Sequence, residues 1–275
     1  MAFTLNLADD GTILRPTLTA PGAHAHKYSR GHAMVWSGPP LRTGASRLSA
    51  QAALAVGAGL VTIIGERAAL EEQAVHVTAI MLREADAELS MIDDRVTALA
   101  IGPGAGQDIA ETVCKMLERG IPTVLDADAI TACEGDSARL FKYLHAHDVM
   151  TPHVGEFHRL FPDIKLDDRL KAALLAAKTS GAVVLLKGPE TIIAAPSGRF
   201  ATNRHASRWL ATAGSGDVLT GLICGLLAQG TPVFEAACIS AWLHGDIGVR
   251  GGPGLTADGM IGYIPLVLRG CLAEG

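Results

Sequence analysis

Aromatic residues are scarce: three Trp, three Tyr and six Phe make up 4% of the 275 positions. Since 49% of the chain is nonetheless hydrophobic, the apolar content comes from small and aliphatic side chains, much of it Ala. That suits helices lying close on a sheet, in one large α/β domain or two small ones. Basic excess is missing too. A net charge of −5 and a pI near 6.0 argue against a nucleic-acid binder, which would carry a basic face, so an anionic ligand would need local donors. The five cysteines, Cys114, Cys133, Cys224, Cys238 and Cys271, form no CxxC pair. Neither a disulfide framework nor a zinc site is signalled, and a cytoplasmic setting is expected. No Lys/Arg-led apolar segment with a small-residue cleavage site opens the chain, which argues against secretion. The uncharged stretch from Leu48 to Gly65 is long enough to raise the question of a membrane span. Ser49, Gln51, Gly57, Gly59 and Thr62 interrupt it, and it divides into an Ala-rich helix ending near Gly57 and the strand "LVTII". No membrane partner is expected.

Residues 1–25 read as an extended lead-in punctuated by Pro and Gly. From residue 26 to 275 one domain is predicted, because no linker, repeat or low-complexity tract divides it. Strands are expected at "AMVWSG", "LVTIIG", "TALAIGPG", "IPTVLDADAI" and "AVVLLKG", and helices at "GASRLSAQAALAVG", "DIAETVCKMLERG" and "DRLKAALLAAKTSG". The stretch "DVMTPHVGEFHRLF" reads as a short strand and turn, and "TIIAAPSGRFAT" as a hairpin about Ser197 and Gly198. From Val218 onward the chain reads as mainly helical. Strands alternating with helices of this length predict a mostly parallel sheet covered on both faces.

In such sheets ligands sit beyond the carboxyl ends of the strands. Gly102-Pro103-Gly104-Ala105-Gly106, Asp126, Asp128, His153, Lys187-Gly188 and Gly214 to Asp217 all fall there. Asp126 and Asp128 read either as helix caps or as crevice residues. In "GSGD" the Gly214, Ser215 and Gly216 backbone could form an anion hole at a helix start. Asp217 then has two readings: a helix cap, or a base beside a bound phosphoryl group. No GxxxxGK[ST] motif occurs, so a Walker-type site is excluded. Lys187, Gly188 and Thr191 could line a nucleotide pocket, with Gly188 permitting close backbone approach. Glu156 is the candidate to hold Mg²⁺ through water, and His153 could donate to substrate or bond a neighbouring carbonyl. His145 and His147 read as a solvated surface pair, and no histidine spacing suggests a metal site.

Taken in order, "HKYSRGHAMVWSG", "GASRLSAQAALAVGAGLVTI", "AIGPGAGQD", "VLDADAI", "TPHVGEFHRL", "LLKGPETIIAAP" and "LATAGSGDVLTGLICGLLAQG" resemble the ADP-dependent NAD(P)H-hydrate dehydratases of the ribokinase-like superfamily, from about His26 to about Leu268. The resemblance implies a three-layer α/β/α sandwich with a mostly parallel central sheet. It implies removal of water from the S epimer of hydrated NADH or NADPH, with ADP as phosphoryl donor, Mg²⁺ as cofactor, and AMP and phosphate as products. Carried over by motif, Ala45, Gly104, His153 and Asp217 would contact the hydrate, with Asp217 the catalytic base. Lys187, Gly188, Pro189, Glu190, Thr191 and Gly216 would hold the adenine nucleotide. An epimerase, on a separate chain or in the other half of a longer protein, is the expected functional partner, and homotetramers are common among relatives. Two places depart from the family pattern. Trp36-Ser37-Gly38-Pro39-Pro40 stands where a "GGS"-like turn is usual, and Ala206 where a glycine is frequent. The alternatives are a ribokinase-like kinase acting on a vitamin-precursor alcohol, and a non-catalytic nucleotide sensor.

Overall fold

The computed structural model describes residues 1–22 and 24–273. Residue 23 of the expected lead-in and residues 274 and 275 of the expected domain lie outside the described residues. The chain opens with an antiparallel pair, β1 (Ala2–Thr4) and β2 (Thr17–Thr19). There follow β3 (His32–Trp36), α1 (Gly44–Ala55), β4 (Leu60–Gly65), α2 (Arg67–Ala74) and β5 (Met81–Glu84). The middle supplies β6 (Ala98–Ile101), α3 (Ala110–Leu117), β7 (Thr123–Leu125), α4 (Asp128–Thr131) and α5 (Ser137–Phe141). Then come β8 (Val149–Met150), α6 (Val154–Leu160), α7 (Arg169–Ser180), β9 (Val183–Leu186) and the hairpin of β10 (Thr191–Ala194) and β11 (Phe200–Asn203). Three helices close the chain: α8 (Ser215–Ala228), α9 (Val233–Gly251) and α10 (Ala257–Gly270).

The main sheet runs β11-β10-β9-β8-β7-β6-β3-β4-β5. From β9 to β5 neighbouring strands are parallel, and β10 pairs antiparallel with both β9 and β11. Strand order reverses between β3 and β6, the switch point where such sheets open a crevice. Side chains alternate between two cores, as strand geometry requires. Ala33, Val35, Ala98 and Ala100 join one core with α1, α8, α9 and α10, while Met34, Leu99 and Ile101 join the other with α3, α6 and α7. The result is a three-layer α/β/α sandwich with a mostly parallel sheet.

Few aromatics are needed because the helices approach to backbone distance. A Cβ placed on Gly221 of α8 would lie 2.1 Å from the Ser49 carbonyl of α1, and one on Gly225 would lie 2.6 Å from the Ala53 carbonyl. Across this seam the Ser49 hydroxyl donates to the Asp217 carbonyl at 2.8 Å.

Several elements differ from the sequence reading. The lead-in is not simply extended: it carries β1 and β2, buries Ile13 and Leu18, and the Ile13 N–H donates to Thr202 O at 2.9 Å. The stretch read as a strand from 121 to 130 gives β7 and then α4, because Ala127, at φ 46°, turns the chain sharply. The turn expected after β8 is the helix α6, started by a capping box in which His153 Nδ1 accepts from the Glu156 N–H and Glu156 Oε2 accepts from the His153 N–H. His145 and His147 are not both solvated. Their rings stack at 5.1 Å, and the buried His147 Nε2 faces Asp148 at 3.9 Å. They precede β8, at the amino ends of the strands, opposite the unusual residues above.

Candidate active site

The loops beyond the carboxyl ends of β3, β6, β7, β8 and β9 converge on the start of α8. Gly214, at φ 86°, turns the chain into that helix with no side-chain cap. The Ser215 N–H is taken by the Thr212 carbonyl at 3.3 Å. Those of Gly216 and Asp217 lack a partner among the described residues, as the first N–H groups of a helix do. The helix dipole adds positive potential at the same point. The donors left to receive an anion are therefore those of Gly216 and Asp217, with Gly214 and Ser215 forming the turn. Asp217 does not cap its own helix, so the capping alternative is set aside.

Two carboxylates meet one ammonium, and two more lie close by. Lys187 Nζ donates to Asp126 Oδ1 at 2.7 Å and faces Glu156 Oε2 at 3.6 Å, while the Thr220 hydroxyl donates to Asp126 Oδ2 at 2.9 Å. Burial drags the Lys187 ammonium down, but Asp126 and Glu156 more than offset it and leave the group raised. Asp128 Oδ2 accepts the Gly106 N–H at 2.8 Å and faces Arg42 at 3.7 Å. Neither Asp126 nor Asp128 caps α4 through its side chain; both belong to the crevice. The Asp217 carboxyl is pushed up to about 7 by burial first, then by Asp126 and Asp128, against the opposing pull of Lys187. A carboxylate poised there is suited to general-base work near neutral pH.

Beside this cluster lies a cleft of about 740 Å³. Of the residues predicted for nucleotide, Lys187, Gly188, Pro189, Thr191 and Gly216 line it, together with His153. Glu190 does not; its exposed side chain accepts from Arg204 Nε at 3.2 Å. Gly188 is also constrained from a second side. A Cβ there would meet Arg169 Nη2 at 2.4 Å, and that nitrogen donates to the Lys187 and Glu190 carbonyls at 3.1 and 3.3 Å. Arg169 thereby shapes the loop, a role for which its sequence context held no signal. Ala45 and Gly104 lie apart from the cleft, at the switch point. A Cβ on Gly104 would be 3.0 Å from that of Ala45. The "WSGPP" departure belongs here: a Cβ on Gly38 would fall 2.2 Å from the Gly104 carbonyl, so this glycine lets the two loops touch. Ala206 lines the cleft. His244, which the sequence reading passed over, also lines it, with Nε2 at 2.9 Å from the Ser215 hydroxyl and 3.0 Å from the Ser215 carbonyl. The arrangement sets side by side a cleft, unpaired N–H groups at a helix start and a raised carboxyl, a combination suited to phosphoryl transfer to a hydroxyl.

A second cleft of about 640 Å³ opens near Thr97 and Pro122, ahead of β6 and β7. Among the described residues, no carboxylate, ammonium or guanidinium lines it, so it lacks the charged cluster of the first cleft.

Comparison with known proteins points the same way. The family model for NAD(P)H-hydrate dehydratase matches residues 33–259. An ADP-dependent (S)-NAD(P)H-hydrate dehydratase from Neisseria meningitidis is 36% identical over 259 residues, covering 89% of this chain and 86% of that one. A bifunctional NAD(P)H-hydrate repair enzyme from Synechocystis is 39% identical over 248 residues, covering 86% of this chain and 46% of that one. The chain spans about half the length of the bifunctional relatives it matches. The crystal structure of a Bacillus subtilis ADP/ATP-dependent NAD(P)H-hydrate dehydratase, co-crystallised with ATP and Mg²⁺, superposes with a TM-score of 0.79 at 26% identity, covering 93% of this chain and 95% of that one.

Proposed function

The chain belongs to the NAD(P)H-hydrate dehydratase family, and on that premise we propose that it dehydrates the S epimer of hydrated NADH or NADPH at the expense of ADP. The observation that carries this is the placement of Asp217: its carboxyl is raised to about 7, immediately beside unpaired N–H groups and a nucleotide cleft.

Hydroxide is a poor leaving group and phosphate a good one, which explains why a dehydration would use a kinase-like site. ADP occupies the cleft along Lys187 to Thr191, with its β-phosphate at the N–H groups of Gly216 and Asp217. The hydrate's ring lies toward Ala45, Gly104 and His153. Asp217 takes the proton of the C6 hydroxyl as its oxygen attacks the β-phosphorus. The new O–P bond forms, the bond to the bridging oxygen breaks, and AMP leaves. The ring nitrogen's lone pair then expels phosphate from C6, and loss of the C5 proton restores the dihydropyridine. Lys187 stays protonated and offsets charge on the nucleotide.

The residues fit Mg²⁺. Asp126 and Glu156 are hard oxygen donors, and two cations, Lys187 and Arg42, against four carboxylates leave negative charge uncompensated. Glu156 would hold the ion through water, since its oxygens already accept from the His153 N–H and face Lys187. Bound with the nucleotide, the ion would neutralise phosphate charge.

An epimerase that interconverts the R and S hydrates completes the proposal, supported by the bifunctional names of relatives about twice as long. A cytoplasmic setting and homotetramers go with it. The first is supported by five free, buried thiols, and light scattering tests the second. The catalytic test mixes the protein, Mg²⁺ and fresh NADH hydrate with ADP or ATP and follows absorbance at 340 nm. A rise with ADP supports the reading, and a rise with ATP alone reassigns the donor. No rise with either, from folded protein, overturns it in favour of an alcohol kinase or a nucleotide sensor.

A further inference from the structure

The mechanism leaves two titratable groups of the cleft, Arg208 and His244, unused. His244, on α9, sets Nε2 at 3.0 Å from the Ser215 carbonyl and 2.9 Å from the Ser215 hydroxyl. A carbonyl oxygen can only accept, so Nε2 carries a proton and has no lone pair to offer. The hydroxyl therefore accepts from His244 and cannot donate to it. Its own proton is free, since no other partner holds the Ser215 hydroxyl among the described residues. Ser215 and His244 both line the cleft, and Ser215 directly precedes Gly216 and Asp217, whose N–H groups open the anion hole. Burial pushes the His244 imidazole down to about 4, so the ring stays neutral and its Nε2–H arrangement is the same throughout the neutral range.

We propose that His244 is a positioning residue that makes the Ser215 hydroxyl a third donor of the anion hole, aimed at an oxygen of the phosphoryl group in transfer. The inference rests on the reading above insofar as that anion is the β-phosphate of ADP. A neutral imidazole suits the task. Held by the carbonyl it bonds, it fixes the hydroxyl without adding a charge that would compete with Lys187 for the nucleotide.

The test compares wild type with Ser215→Ala, His244→Leu, His244→Gln and the Ser215→Ala/His244→Leu double variant, reading kcat, KM and ADP affinity by calorimetry. Loss of an oxyanion-hole donor costs about 10²-fold in kcat. That loss is expected in Ser215→Ala and again in His244→Leu, with KM for the hydrate within about threefold of wild type. The double variant falls no further than either single one, because both remove the same donor. His244→Gln, whose amide can donate to the same carbonyl, regains at least part of the rate. Near wild-type kcat in Ser215→Ala or His244→Leu, or losses that multiply in the double variant, would overturn the proposal. If His244→Leu does not fold, Ser215→Ala and His244→Gln decide: an unaltered Ser215→Ala rate rejects the donor. If wild type itself turns over no hydrate, the parent reading has failed. ADP titration of the same proteins then tests the donor alone, with equal, non-additive weakening expected and unchanged affinity rejecting it.

Discussion

Lys187 Nζ sits 2.7 Å from Asp126 Oδ1, joining the end of β9 to the end of β7 across the short strand β8. Asp126 is 2% exposed, so this ammonium is its chief charge partner. Removing one member of a buried pair leaves the other uncompensated, which costs about 3–5 kcal/mol. Lys187→Met is therefore expected to lower stability by that order in urea unfolding, besides weakening ADP. Stability close to wild type would mean that Asp126 is held by Thr220 alone.

Asp217→Asn should separate stability from activity. The folded-state carboxyl is raised to about 7 from an unfolded value near 4. Between those values the folded state binds more protons than the unfolded, so stability falls as pH rises through the window and the penalty is complete above it. The neutral amide escapes this, and Asp217→Asn should be more stable than wild type at pH 8 by roughly 2–4 kcal/mol. Turnover should fall by about 10²–10⁴ with ADP binding retained. Melting curves at pH 5 and pH 8, with 340 nm assays, check both halves.

The pH profile of wild type follows from the same group. A base acts only when ionised, so kcat/KM should rise with pH through an inflection near 7, matching the raised Asp217 carboxyl. An activity that is flat from pH 5.5 to 8 would place the base elsewhere.

Gly216→Ala is expected to fold and to fail in binding. Its Cβ would meet Asp126 Oδ2 at 3.6 Å and Lys187 Nζ at 3.7 Å, ordinary contacts, and alanine favours a helix by about 1 kcal/mol over glycine. That methyl group would stand beside the N–H assigned to phosphate. Calorimetry should show ADP affinity lowered about tenfold or more with an unchanged or higher melting temperature, a phosphate contact being worth at least about 1.4 kcal/mol.

His153→Ala should cost about 1 kcal/mol, the usual value of a helix cap, because its Nδ1 accepts from the Gly155 and Glu156 N–H groups at 2.9 and 3.2 Å. Chemical denaturation reads this directly. A KM for the hydrate that rises alongside would assign the ring a second duty to substrate.

Most of the sheet was legible in the sequence because β3, β4, β6, β7 and β9 are short β-branched or Ala-rich runs that lead into glycine or a carboxylate, whereas β5, Met-Leu-Arg-Glu, carries neither mark and was not expected. The start of α6 was not. Pro152, His153 and Gly155 read as a turn, and only the reciprocal bonds of His153 and Glu156 reveal a cap. Asp126 and Lys187 each stood out at a strand end, but nothing along the chain announces a pair 61 residues apart. His244 gave no sign, since a lone histidine within the apolar run "AWLHG" resembles any half-buried ring. The second constraint on Gly188 was not legible, because the side chain pressed against it comes from α7.

The seam between α1 and α8 has a consequence for the distance between substrates. Ala45 lies in the first turn of α1 and Asp217 in the first turn of α8, and the two helices touch through glycine against carbonyl at Ser49 and Ala53. The side chains of Ala52 and Val56 press there too, but the Ser49 and Ala53 carbonyls are backbone, so trimming a side chain alone does not make room for a larger residue. The gap from the crevice proposed for the hydrate to the proposed base is thus gauged by the thickness of the polypeptide itself. It is a fixed spacer that adjustment of single side chains can neither lengthen nor shorten.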